Sequence, residues 1–249
     1  MKLKYKIIII ISCVFIFLYF FIILWYNGLI WPNTPSKKKY PVRGVDVSSY
    51  QGEIDWETLE NQDIDFAFIK ATEGSGYEDE YFQQNFQNAS ETGIRIGAYH
   101  FFSFDSSGIT QAENFIKTVP KTQNMLPPVI DLEFYAQHGS DPPEKEETRY
   151  NLQKMIDAVY DYYGLMPVIY VTDITYELYI KGYFDDNDIW IRSIFTKAEL
   201  PDERKWTFWQ YCNRGRHRSE EHTSELQSPW HRVCRGLGEK KKGGGGGGG

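Results

Sequence analysis

Along the middle of the chain, short apolar runs rich in β-branched and aromatic residues alternate with longer stretches of helical periodicity. Residues 42–47 read as a strand, followed by a helix start at Asp55-Trp56-Glu57-Thr58-Leu59 with Asp55 as its cap. Residues 65–71 form a second strand, and residues 79–92 set Phe82, Phe86 and Ala89 at helical spacing before Gly93. A third strand over 94–101 precedes a helix over 110–119. The fourth strand lies in Pro127-Pro128-Val129-Ile130-Asp131-Leu132-Glu133-Phe134, and a long helix over 144–163 turns Leu152, Ile156, Val159 and Tyr163 inward until Gly164 stops it. Residues 168–171, 189–191 and 207–211 are strands five to seven. Five strand-then-helix units followed by closely spaced strands predict an α/β barrel with a degenerate last third. An open doubly wound sheet is the alternative, but no Gly-x-Gly-x-x-Gly follows the first strand, which disfavours a dinucleotide site.

The two ends do not share this pattern. Ile7 to Trp25 are 19 residues without a charge, preceded by Lys2, Lys4 and Lys6 and followed by no small-x-small cleavage site. This predicts a cytoplasmic stub over 1–6, a transmembrane signal anchor over 7–26 and a polar tether over 27–42 with prolines at 32, 35 and 41. A cleaved signal peptide is the competing reading, and Lys37-Lys38-Lys39 on the far side weakens the charge asymmetry. From Arg218 the chain reads Arg-Ser-Glu-Glu-His-Thr-Ser-Glu-Leu-Gln-Ser and ends in seven glycines, with no hydrophobic periodicity and no strand pattern. It looks like a translated sequencing adapter, so residues 217–249 are read as a non-native tail and the domain as 43–216.

Setting the ends aside changes the charge. The whole chain carries −7, but residues 41–213 hold 13 Lys and Arg against 30 Asp and Glu, a net −17. A domain so acidic is not attracted to nucleic acid or anionic surfaces by charge. Cys212 is the one cysteine outside the apolar span and the tail, so no disulfide framework is available. Only His100 and His138 lie in the domain, with no His-x-x-x-His spacing; neither a metal nor a cofactor is expected.

The candidate chemistry sits at the fourth strand. Side chains two apart on a strand share a face, so Asp131 and Glu133 emerge together with Cα atoms about 6.6 Å apart. Carboxylates this close cannot both ionise freely, and one proton is held to higher pH. A proton donor beside an anion is the equipment for cleaving a glycosidic bond. In a barrel, chemistry gathers at the carboxyl ends of the strands, where Asp46, Thr72-Glu73, Tyr99-His100, Tyr170 and Gln210-Tyr211 also fall.

Five segments in register resemble the family 25 glycoside hydrolases, the N-acetylmuramidase (lysozyme) family. They are Gly44-Val45-Asp46-Val47-Ser48-Ser49-Tyr50-Gln51-Gly52, Ile69-Lys70-Ala71-Thr72-Glu73-Gly74, Gly97-Ala98-Tyr99-His100-Phe101, Ile130-Asp131-Leu132-Glu133 and Trp209-Gln210-Tyr211. The resemblance implies a flattened, TIM-like (βα)5β3 barrel and hydrolysis of the β-1,4 bond between N-acetylmuramic acid and N-acetylglucosamine in peptidoglycan. By position it makes Glu133 the general acid, and sets Asp131 to orient the substrate's N-acetyl group or stabilise an oxocarbenium-like centre. Asp46 would keep its neighbour charged or bond the sugar; a loop-capping role is its bland alternative. Tyr50, Gln51, Glu73, Tyr99, Tyr170, Trp209 and Gln210 are the expected substrate contacts, with core packing equally open for the aromatics. His100, on the opposite face from Tyr99, is expected to be structural, and Arg192 to pair with a cleft carboxylate or touch substrate. The family's last strand, which brings a further acidic residue, is expected to be missing because the tail replaces it.

The expectation is therefore a monomeric, membrane-tethered muramidase whose domain lies outside the cytoplasm, bound to the membrane by its helix, taking peptidoglycan glycan strands and no nucleic acid. The acidic domain and the anchor point to remodelling of the cell's own wall. A barrel that holds glycan without cutting it, and a glycosidase of another N-acetylated glucan, are the competing readings.

Overall fold

The computed structural model describes residues 3–26, 33–215 and 223–228. Helix α1 (Leu3–Tyr26) buries none of its 24 residues and is long and apolar enough to cross a membrane. The barrel then begins with β1 (Val42–Val47) and α2 (Trp56–Glu60), whose cap Asp55 accepts from Thr58 N as the sequence predicts. β2 (Phe66–Glu73) folds back on the short β3 (Tyr77–Glu78) before α3 (Phe82–Ser90). β4 (Arg95–Phe101), α4 (Gly108–Thr118), β5 (Val129–Leu132) and α5 (Lys145–Tyr163) follow. Gly164 closes α5 with φ 71°, the left-handed cap that glycine adopts without strain. β6 (Val168–Val171) leads into α6 (Asp173–Thr175), which continues as a π-helical turn over Tyr176–Ile180. β7 (Ile189–Arg192) and β8 (Phe208–Gly215) complete a parallel series in which β1, β2, β4, β5, β6, β7 and β8 are neighbours in turn.

One expectation is corrected here. Residues 223–228, read as patternless tail, form β9 (Thr223–Ser228), antiparallel both to β8 and to β1. With β1 also paired to β2, the sheet closes on itself, so the last-strand position is filled, by a segment of the expected tail. The physical reason is that β1 and β8 each offer a row of backbone donors and acceptors, and an extended segment satisfies them whatever its side-chain pattern. The rest of the proposed tail, 217–222 and 229–249, lies outside the described residues.

Strands buried on both faces give the barrel two apolar layers. Phe66, Phe68, Val129, Val168, Tyr170, Trp190 and Phe208 fill the interior. The opposite faces, with Val45, Val47, Ile130, Leu132, Ile169 and Ile191, pack against the helices. Two glycines make room for the interior rings: a Cβ at Gly44 would collide with Phe66, and one at Gly97 would lie 2.6 Å from Phe68. These rings plug the barrel below the level of the cleft, so the polar residues above them face an open mouth.

Candidate active site

The carboxyl ends of the strands enclose a cleft of about 570 Å³ lined by Asp46, Lys70, Glu73, Tyr99, Asp131 and Glu133, among others. Each strand delivers its residues by simple alternation. On β1, Val42, Gly44 and Asp46 turn inward while Val45 and Val47 pack outward; on β5, Val129 and Asp131 turn inward while Ile130 and Leu132 pack outward. Glu133, one residue past β5, keeps the same face and reaches the cleft beside Asp131.

The two carboxyls differ in environment. Asp131 is buried, and its Oδ1 has no hydrogen-bond partner among the described residues. Burial raises its pKa well above the usual carboxylate range, and the charges of Glu133 and Asp46 push it further. Glu133 is 29% exposed at its side chain, and Arg192 Nη1 lies 4.0 Å from its Oε2. Burial raises Glu133 too, opposed first by Arg192 and then by Lys70. Asp46 is held differently: Gln210 Nε2 donates to its Oδ1 (3.3 Å), and Tyr170 OH donates to Gln210 Oε1 (2.9 Å). Tyr99 and Tyr170 are pushed well above the ordinary phenol range by burial and then by the surrounding carboxylates, so both remain neutral hydroxyls.

A register irregularity in β2 between Lys70 and Thr72 places two further residues. Strict alternation from Phe68 and Lys70 would turn Thr72 inward and Glu73 outward. The extra residue re-aims the strand end, so Thr72 bonds outward to His100 while Lys70 and Glu73 both line the cleft, 2.8 Å apart. Lys70 is 12% exposed at its side chain, and its ammonium lies over the Phe101 ring at 5.1 Å. Tyr50, 94% exposed, projects from the Ser49–Gln51 turn, which is held by Gln51 Oε1 accepting from Ser48 N and Asp79 Oδ2 accepting from Ser49 N.

Of the sequence-predicted residues, Asp46, Tyr50, Gln51, Glu73, Tyr99, Asp131, Glu133, Tyr170 and Gln210 converge on the cleft. Trp209 does not, and that expectation is corrected. Alternation on β8 sends Phe208 and Gln210 inward and Trp209 outward, where its indole donates to Ser193 O (2.8 Å) and its ring packs against Tyr40 and Trp206. His100 is buried on the helix side as expected; Thr72 Oγ1 and Gln111 Oε1 lie 2.7 and 3.0 Å from its two ring nitrogens. Lys70, Phe101, Tyr135, Trp190 and Asn213 line the cleft without having been singled out. For Trp190 a signal was present, since it stands two residues before Arg192 on one strand face.

A carboxylate pair at the strand ends of a parallel α/β barrel, in an open cleft with aromatic walls, defines the architecture of a glycoside hydrolase. The chain belongs to glycosyl hydrolases family 25, whose model matches residues 45–219. It is similar to the structure of a family 25 glycosyl hydrolase from Bacillus anthracis, at 50% identity and a TM-score of 0.76, covering 79% of this chain and 92% of that one. It is 34% identical over 181 residues to YegX of Escherichia coli (strain K12), spanning 71% of this chain and 65% of that protein's length. Lysozyme M1 of Streptomyces globisporus is 43% identical over 96 residues, 37% of this chain and 33% of that protein.

Proposed function

We propose that this chain is a muramidase that hydrolyses the β-1,4 bond between N-acetylmuramic acid and N-acetylglucosamine in peptidoglycan. The observation that carries the reading is the Asp131–Glu133 pair, two carboxyls on one face of the cleft whose burial favours their protonated forms. Family membership and the likeness to a protein named lysozyme support it.

Glu133, at the open end and opposite Arg192, is the general acid: its proton passes to the oxygen leaving C1 of the muramic acid residue. The substrate's own acetamido oxygen attacks C1 as that bond breaks, giving a bicyclic oxazolinium intermediate. Asp131, with Oδ1 free of protein partners among the described residues, accepts from the acetamido N–H and so aims the acetamido oxygen at C1. Water then adds at C1 and returns a proton to Glu133, so configuration is retained. Asp46, fixed by Gln210 and Tyr170, holds negative charge beside Asp131 and keeps its proton affinity high.

Helix α1 is the membrane anchor, the barrel lies outside the cytoplasm as a monomer, and the enzyme remodels the cell's own wall. Residues 217–249 are a non-native tail whose segment 223–228 occupies the last-strand position as β9; the family match ending at 219 supports this, and resequencing across the junction tests it. For the activity, Glu133→Gln is assayed on purified peptidoglycan by turbidity and by the reducing ends released. Loss of nearly all activity with an unchanged fold is expected. Substantial retained activity removes Glu133 as the acid, and reducing ends other than muramic acid remove the substrate assignment.

A further inference from the structure

Residues 33–40, the described part of the connection between the helix and the barrel, are packed, and where they pack limits what the cleft can reach. Asn33 Nδ2 donates to Ser193 O (3.0 Å) and Thr196 O (2.6 Å), in the loop that leaves β7 immediately after Arg192. Arg192 faces Glu133, so Asn33 is fixed at the rim of the cleft. From there the chain turns at Ser36, whose carbonyl accepts from Lys39 N and Tyr40 N. Tyr40, buried, lies between Trp206 and Trp209 at ring distances of 5.7 and 5.8 Å. At the other end of the connection, the ring of Trp25, in the last turn of α1, is 6.4 Å from that of Phe195, a side chain 73% exposed on the same rim loop.

Resting on the muramidase and anchor readings, we propose that residues 33–40 are a strap that pins the membrane exit to the rim of the cleft. The substrate is then the glycan lying against the bilayer: newly polymerised strands still attached to their lipid carrier. Six residues, 27–32, separate Tyr26 from Asn33. Fully extended, they allow at most about 25 Å between the helix end and the rim. A free tether running from residue 27 to β1 would allow roughly 55 Å and a full rotation of the cleft away from the membrane. The strap cuts that reach by about half and keeps the rim near the helix end. The domain's net −17 does not draw it onto anionic lipid, so closeness to the bilayer comes from the covalent connection. The reaction that supplies this substrate is glycosyl transfer onto a lipid-linked strand, and the protein cuts its product before it is incorporated into the distant wall.

The test uses the full chain in lipid vesicles with two probes: a polyprenyl-pyrophosphate-linked glycan polymer embedded in the same vesicles, and insoluble wall sacculi added outside. The chain is expected to cleave the embedded polymer at least about tenfold faster than sacculi, because a short fixed connection raises the effective concentration of substrate within its reach. A flexible spacer of about forty residues between Pro32 and Asn33 keeps the strap contacts and lengthens the reach. It is expected to raise sacculus cleavage and erase the preference. Asn33→Ala combined with Tyr40→Ala is expected to weaken the preference with no spacer present. Equal rates of native and spaced protein on both probes overturn the proposal, as does an N-terminus lacking residues 1–26 in the membrane-expressed protein. Cleavage of short soluble glycan fragments in detergent is measured alongside: failure there overturns the muramidase reading, whereas activity there without a membrane preference overturns the strap alone.

Discussion

Replacing Arg192 with methionine should move one limb of the pH profile and leave the proposed acid, Glu133, in place. The guanidinium lies 4.0 Å from Glu133 Oε2, with side chains 34% and 29% exposed. At that distance a unit charge pair is worth about 1 kcal/mol in water and about 4 kcal/mol at an effective dielectric of 20. Partial exposure and salt screening set the lower part of that range, roughly 1–1.5 kcal/mol, which is about one pKa unit. The sign follows from charge. Without the cation, ionised Glu133 loses its strongest stabilising neighbour, and its already raised pKa climbs further. An acid must hold its proton to give it away, so activity is lost as pH rises through that pKa. The alkaline limb of kcat/KM, measured on soluble glycan fragments at fixed ionic strength, should therefore move up by about one pH unit.

Lys70→Met is the matched comparison. Among the cations acting on Asp131, Lys70 comes before Arg192, and on Glu133 the order is reversed. Losing Lys70 should therefore raise the proton affinity of Asp131 more than that of Glu133, and move the alkaline limb upward by less than Arg192→Met does. An alkaline limb that stays put or moves down in Arg192→Met would refute this account of the cleft.

Three other perturbations test the scaffold. Burial lowers the His100 pKa from 6.5 to about 4, so its stabilising effect is full above pH 6.5 and is lost as pH falls toward 4; the loss is about 3 kcal/mol, and His100→Gln should flatten that interval of a thermal-unfolding pH series. Gly44→Ala puts a methyl against the Phe66 ring and should cost about 1–3 kcal/mol in urea unfolding, with the denaturant slope unchanged. Trp209→Phe loses the bond to Ser193 O and should lower Tm while leaving KM for glycan unaltered; a raised KM at unchanged stability would return Trp209 to the cleft.

The strand-and-helix order could be read from the chain because each element carries its own period. Asp131 and Glu133 could be assigned to one face because no irregularity separates them. The same rule misplaced Trp209, since a strand buried on both faces presents aromatic residues on each side and Trp209-Gln210-Tyr211 does not announce which faces inward. Alternation puts Lys70 and Glu73 on opposite faces, and only the extra residue in β2 lets these positions three apart share the cleft. The helical segment 173–180 is too short, and divided between two helical geometries, to leave a periodic signal. The closing strand left no signal because its place is specified by the unpaired edges of β1 and β8.

Those edges bear directly on the chemistry. In β9, Ser224 is the register partner of Asp46 and Leu226 that of Gln210. The strand in that slot thus sets the relative level of β1 and β8, and with it the 3.3 Å contact from Gln210 to Asp46. Of the cleft's four carboxylates among the described residues, three differ in what touches them: Asp46 accepts a neutral amide, Asp131 has an oxygen without a protein partner, and Glu133 faces a cation. Acid and base roles diverge when environments separate proton affinities, and here the separation is built from backbone register. A shift of β1 against β8 would loosen Asp46, relax the charge it imposes on Asp131, and draw the proton affinities of Asp131 and Glu133 toward each other without altering either residue. The stability of the closing strand and the pH profile of the cleft are therefore physically one property of this barrel.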